Sequence, residues 1–245
     1  MLLALLYHKI GNGKYANPLP ILESHFQWIA KNYPTVLPGE KLSSGLNVCL
    51  TFDDAFFDFY HFIYPLLKKY GLKALLSVPT AYILESTTLS SKERFKKIPS
   101  FSDKISPIIP SPAFCTWEEL KELNNLPLIQ IASHSMHHYP LTSTQIDPEK
   151  ELISSKQILE LKLQTPIQTF VYPYGLFNPK VHSFAQKHYP YIMRIGNALN
   201  RSWINSHGLF YRINADQLPH PKYPFSFPHH LKHFARLFLN TLRKK

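Results

Sequence analysis

Val48-Cys49-Leu50-Thr51-Phe52-Asp53-Asp54 is the stretch on which the reading of this chain turns. An apolar, β-branched run spells a buried strand, and two carboxylates follow at its C-terminal tip. Paired acids there are costly unless something positive meets them. A second stretch indicates what that is. Ser133-His134-Ser135-Met136-His137-His138 follows the apolar run 128–132, and His134 and His138 stand four apart. One carboxylate and two imidazoles make a three-ligand set for a divalent cation, with a position open for water. The other carboxylate is then left to act as a base. Taken singly, a capping Asp pair and two solvated histidines explain each motif. Specificity comes from their conjunction, each behind its own strand.

Similar apolar runs occur at 2–7, 72–78, 167–172, 191–195 and 209–213, and helical patterns separate them. Residues 20–32 carry helical spacing. Residues 56–70 do so too and end at Gly71, placed for a left-handed cap. Thr116 and Glu119 form a capping box, Asp147-Pro148 opens a helix to about residue 163, and 179–188 is a further helix. Strands alternating with helices predict an α/β fold: an irregular (β/α) barrel of six to seven parallel strands. Such barrels present their functional side chains at the C-terminal ends of the strands, where these motifs lie.

The chain 1–245 reads as one domain. Residues 81–114, with Pro99, Pro107, Pro110 and Pro112, read as a surface insertion over the site mouth. Residues 229–245 read as a basic amphipathic helix. Leu231, Phe234, Phe238 and Leu242 share one face, with Lys232, Arg236 and Arg243-Lys244-Lys245 supplying charge. Two placements fit it: packing on the barrel with a solvated basic tail, or weak docking on an anionic membrane surface.

With 27 Lys and Arg against 16 Asp and Glu, the formal charge is +11, which favours anionic partners. No arginine-rich arm or interleaved aromatic stripe points to nucleic acid. Cys49 and Cys115 are the only cysteines, so no disulfide framework is expected. No apolar stretch reaches the length of a membrane span, and the N-terminal run lacks the marks of a signal peptide. The expected location is cytoplasmic or peripheral to the membrane.

These motifs resemble the polysaccharide deacetylase family (NodB homology domain, carbohydrate esterase family 4). Its TFDD motif is Thr51 to Asp54, and its H-[ST]-x-x-H motif is His134 to His138. Its Pro-Tyr-Gly turn lies in Phe170-Val171-Tyr172-Pro173-Tyr174-Gly175. The resemblance spans roughly residues 2–213. It implies a NodB-like barrel and a metal-dependent hydrolase that removes N-acetyl groups from an N-acetylated saccharide, releasing acetate. It assigns Asp54, His134 and His138 as metal ligands, Asp53 as base, and the Tyr174 backbone N–H as a donor to the oxyanion. Zinc suits the ligand set, and cobalt, nickel or iron also fit. His137 is an alternative to His138, and Asp53 can also cap the helix that follows it.

Many relatives begin the third motif with an arginine that orients the base. Val171 stands here instead; Arg212, at the end of a late strand, is the candidate substitute, and a surface or phosphate-facing role suits it equally. Relatives usually draw a general acid from a late Leu-x-His motif, which is missing; His207, His220, His229, His230 and His233 lie in loops or the last helix. The opening Leu6-Tyr7-His8-Lys9-Ile10 resembles the start of poly-N-acetylglucosamine deacetylases, in which the N-terminal His takes that role. A barrel closes on itself, so His8 can occupy the missing place. Phe56, Trp117, Tyr139 and Trp203 could stack on a sugar, and each fits a core equally well. Two other functions suit the same residues: a metal amidase acting on a small non-sugar C–N bond, and an inactive barrel that binds glycan or a lipid surface.

Overall fold

The computed structural model describes residues 1–99, 110–204 and 208–242. Part of the expected insertion (100–109), His207 and the basic end 243–245 lie outside the described residues. Strand β1 is Leu2–Tyr7, followed by the short pair β2 (Lys9–Ile10) and β3 (Ala16–Asn17). Helix α1 (Leu19–Asn32) leads to β4 (Asn47–Phe52), a π-turn at Phe59–Ile63 and α2 (Tyr64–Tyr70). Then come β5 (Ala74–Val78), α3 (Ser91–Phe95), α4 (Trp117–Asn124), β6 (Ile129–Ser133) and α5 (Pro148–Leu163). The chain continues through β7 (Thr169–Val171), α6 (Pro179–His188), β8 (Tyr191–Ile195), β9 (Leu209–Asn214) and α7 (Phe227–Leu242).

Seven strands form a closed parallel barrel in the order β1-β4-β5-β6-β7-β8-β9, and β1 pairs with both β4 and β9. The expected α/β barrel is therefore present, at the upper end of its strand range. Alternation along each strand divides the core in two. One set, including Leu3, Leu5, Val48, Leu50 and Leu76, packs beneath the helices. The other, including Leu2, Ala4, Cys49, Leu75, Ala132, Val171, Met193 and Phe210, forms a second cluster within the barrel. Two residues further along the same strands come Thr51, Ser77, His134 and Arg212, and Asp53 lies beyond Thr51, all buried. The lumen is thus apolar at its base and polar at the C-terminal mouth.

The single helix expected at 56–70 begins as a π-turn, with the Tyr64 N–H donating to the Phe59 carbonyl. Pro65 in the next turn has no N–H to offer, and the wider turn precedes it. Gly71 caps α2 in the left-handed region, at φ 64°. The described part of segment 81–114, expected as an insertion, is anchored. Buried Arg94 grips Glu119 of α4 with both ends of its guanidinium (2.5 and 2.9 Å) and also donates to the Pro112 and Phe114 carbonyls. Segment 113–115 then pairs with Ala55 and Phe57, next to the acidic doublet. No helix among the described residues is long and apolar enough to cross a membrane.

Replacing one partner of a buried ion pair strands the other. Arg94→Ala is expected to lower stability by about 3 kcal/mol, read as a shift of the urea unfolding midpoint. A change within error would show that Arg94 does not anchor the insertion.

Candidate active site

Adjacent strand residues face opposite ways, so two neighbouring aspartates reach one site only if the backbone bends. It does: Asp54 and Ala55 both take the left-handed conformation, at φ 72° and 52°. Each such residue costs on the order of 1–3 kcal/mol and persists only where its surroundings hold it. Here the Asp53 N–H bonds the Tyr7 carbonyl (2.9 Å) and the Cys115 N–H bonds the Ala55 carbonyl (2.8 Å).

Asp53 is pinned inside the mouth. Arg212 of β9, fully buried, donates from Nη1 to Oδ1 (2.7 Å) and from Nη2 to Oδ2 (2.8 Å). Ser77 Oγ donates to Oδ1 at 2.8 Å, and Arg212 Nη1 also reaches Thr51 Oγ1 at 3.1 Å. Burial pushes the Asp53 carboxyl upward, but Arg212 and His134 outweigh it and hold it well below the usual carboxylate range. Arg212, the candidate substitute for the arginine absent at Val171, thus pairs with Asp53.

His134 follows β6, and its Nδ1 donates to the Val171 carbonyl at 2.8 Å. That bond places the proton on Nδ1 and leaves Nε2 bare. Nε2 faces Asp54 Oδ1 at 3.7 Å, and His138 Nε2 faces the same oxygen at 3.4 Å. Burial holds both imidazoles down to about 4, so they are neutral at neutral pH. One ligand atom from each of Asp54, His134 and His138 lies within 4.8 Å of the others. Two neutral imidazoles and a carboxylate at that spacing fit a divalent cation such as zinc.

His137, the alternative ligand, turns away. Its Nδ1 bonds Glu151 Oε1, while Glu151 Oε2 accepts from the backbone N–H groups of Met136 (3.1 Å) and His137 (2.8 Å). The turn needs this support, since Ser135 and His138 have φ of 63° and 54°. Ser135 Oγ accepts from the His138 N–H at 3.0 Å and closes it.

The Tyr172-Pro173-Tyr174-Gly175 turn stands beside these side chains, with the half-exposed Tyr174 ring 4.7 Å from that of His138. Tyr174 has φ 57°, and the turn's internal bonds use the N–H groups of Gly175 and Leu176. Glycine is required at 175: φ is +66°, and a Cβ would lie 3.0 Å from Ile195 Cβ.

His8 lies just beyond β1, and Asp216 accepts from its backbone N–H (3.1 Å) and its Nδ1 (2.7 Å). Burial pulls the His8 imidazole down, but the Asp216 hydrogen bond and charge, with Asp54 and Asp53 behind, raise it to about 9.

The structure thus gathers His8, Asp53, Asp54, His134, His138, Arg212 and Tyr174 at one end of the barrel. It does not bring in most of the aromatic candidates. Phe56 and Trp117 belong to the outer core, and Trp203 packs with Leu2 and Val36 at the opposite end of the lumen. Tyr139 is half-buried and stacks on His137. Sequence reasoning missed Asp216, Glu151 and Ser77. Asp216 carried no local signal, because only barrel closure brings it to a residue 208 positions away. Glu151 looked like an ordinary first-turn acid of α5, where negative charge suits the helix dipole.

Comparison with known proteins bears on the family and the fold. A family model described as polysaccharide deacetylase matches residues 43–191. The putative polysaccharide deacetylase YxkH of Bacillus subtilis (strain 168) is 28% identical over 194 residues, covering 75% of this chain. The chain spans 60% of that relative's length, less than two thirds. Among solved structures, the Streptococcus pyogenes deacetylase PplD in complex with acetate superposes with a TM-score of 0.71 at 22% identity, covering 95% of this chain and 97% of its own. IcaB from Ammonifex degensii gives a TM-score of 0.67 at 18% identity, covering 96% and 97%. The family match extends over more than half of the sequence and takes in both the acidic doublet and the histidine motif, so the chain belongs to the polysaccharide deacetylase family of NodB-type barrels, carbohydrate esterase family 4.

Proposed function

We propose that this chain is a metal-dependent hydrolase that removes N-acetyl groups from an N-acetylated saccharide and releases acetate. The observation that carries the reading is the meeting of Asp54, His134 and His138 beside an arginine-clamped Asp53 and a carboxylate-clamped His8. Asp54, His134 and His138 are the residues to hold the cation, zinc being the best suited. When bound there, a divalent cation polarises the acetamide carbonyl and brings the pKa of water within reach of a weak base.

The protein's own groups do the rest. Asp53 takes the proton of the attacking water. Arg212 fixes its carboxylate in one orientation and keeps it ionised; Oδ1 is occupied by Arg212 and Ser77, and Oδ2 retains lone-pair capacity beyond its arginine bond. The Tyr174 backbone N–H is the donor to the charge that develops on the acyl oxygen. A donor of that kind contributes about 2.7–4 kcal/mol to the transition state. His8 is the general acid. Asp216 keeps its Nδ1 protonated, so Nε2 carries the second proton of the imidazolium and gives it to the departing amine. The carbonyl C–N bond breaks, acetate leaves, and the sugar retains a neutral amine.

An acetate-release assay on chito-oligosaccharides tests the reading. Release of ammonia from cyclic amides, without acetate from any saccharide, would instead identify an amidase. His8→Ala is expected to lower kcat by about 100-fold or more while zinc content is unchanged. The raised His8 value implies that the acid stays protonated until the pH climbs through about 9. The alkaline limb of kcat/KM should therefore sit near that pH and move downward in Asp216→Asn, which removes the carboxylate and leaves burial dominant. Full activity of His8→Ala, or an alkaline limb unmoved by Asp216→Asn, would refute the assignment.

Glu151 holds the ligand-bearing turn without touching the cation site. Glu151→Ala should weaken zinc binding by about 10- to 100-fold, measured by competition with a chromophoric chelator. Affinity equal to that of the unaltered chain would show that the turn keeps its shape unaided.

A further inference from the structure

The final helix sits on the barrel the wrong way round for a packing helix. Its inward side is largely polar. His233 is 3% exposed and donates from Nδ1 to the Asn197 carbonyl at 2.6 Å, while its own carbonyl accepts from the Leu199 N–H. Asn240 Nδ2 reaches the Gly196 carbonyl at 3.4 Å, and Leu237 is the apolar residue of this side packed on the core. The outward side carries Phe227, Leu231, Phe234, Phe238 and Leu239, all between 46% and 80% exposed. The spacing from Phe227 to Leu231, Phe234 and Phe238 follows one stripe along the helix. Of the two placements the sequence left open, packing of this stripe on the barrel is not the one the structure shows.

A contiguous apolar face turned to solvent marks a docking surface. Charge decides what it docks on. After Asp216 the sequence contains no acidic residue, whereas Lys222, Lys232, Arg236, Arg243, Lys244 and Lys245 follow. A second copy of the chain would set two such basic helices against each other. An anionic bilayer complements both features at once, accepting the phenylalanines and leucines at its acyl boundary and the cations among its headgroups. We propose that α7 is a membrane-surface anchor that lies in the headgroup plane of an anionic bilayer and holds the barrel there. This rests on the helix alone and is independent of the reaction catalysed at the mouth.

The test is co-sedimentation of the full chain with vesicles of phosphatidylglycerol or of phosphatidylcholine, over a salt series. Binding is expected to phosphatidylglycerol vesicles, at least about tenfold weaker to phosphatidylcholine, and falling with added salt. The double variant Phe234→Ser, Phe238→Ser should lose about tenfold or more in partitioning, with activity on soluble saccharide unchanged. Lys232→Glu with Arg236→Glu should lose the preference for the anionic vesicles. The salt series on the unaltered chain discriminates even if a variant folds poorly. No binding to phosphatidylglycerol at low salt, equal binding to both lipids, or binding indifferent to both variants would overturn the proposal. So would a dimer in lipid-free buffer that the phenylalanine replacements dissociate, since that would make a second copy the occupant.

Discussion

The buried pair between Asp53 and Arg212 is the interaction on which the mouth of this barrel depends. It joins the tip of β4 to β9 across β1, the strand that closes the barrel between them. A charge taken this far from water is expensive, and removing either partner alone would cost about 3–5 kcal/mol. The bidentate geometry and the further hydrogen bonds to Ser77 and Thr51 make the pair tolerable. In return Asp53 is ionised and fixed, as its proposed role of base requires.

The same closure sets up the other half of the site. Because β1 has β4 on one side and β9 on the other, His8 emerges between the acidic doublet and the residues that follow β9. Asp216 is among them. The two clamps are opposite in sense: a cation holds a carboxylate charged, and a carboxylate holds an imidazole charged. One site can thus hold an ionised carboxylate and a protonated imidazole together at neutral pH, as the proposed amide hydrolysis asks of its base and acid.

Much of this was legible in the sequence because the relevant signals are local. Buried parallel strands are continuous apolar runs, and the carboxylates and histidines stand directly after them. Arg212 was visible as a lone cation in an apolar strand, and its use followed once the third motif was seen to lack an arginine. Other features depended on geometry that no short stretch encodes. The His8–Asp216 contact needs the barrel to close. The role of Glu151 needs α5 to lie under the histidine turn. The direction of the last helix was hidden for a different reason: amphipathic spacing shows that a helix has two faces but not which one meets the protein. Hydrogen bonds between the 196–199 segment and His233 and Asn240 decide that here.

The central claim is that three side chains from two separate strand ends share one cation. Zinc content measured by atomic emission after dialysis against zinc-containing buffer tests it most directly, on the unaltered chain and on Asp54→Asn, His134→Ala, His137→Ala and His138→Ala. The account predicts one zinc per chain, lost or strongly reduced in the first, second and fourth variants and kept in His137→Ala. Zinc absent from the unaltered chain, or lost on replacing His137 and retained on replacing His138, would contradict it.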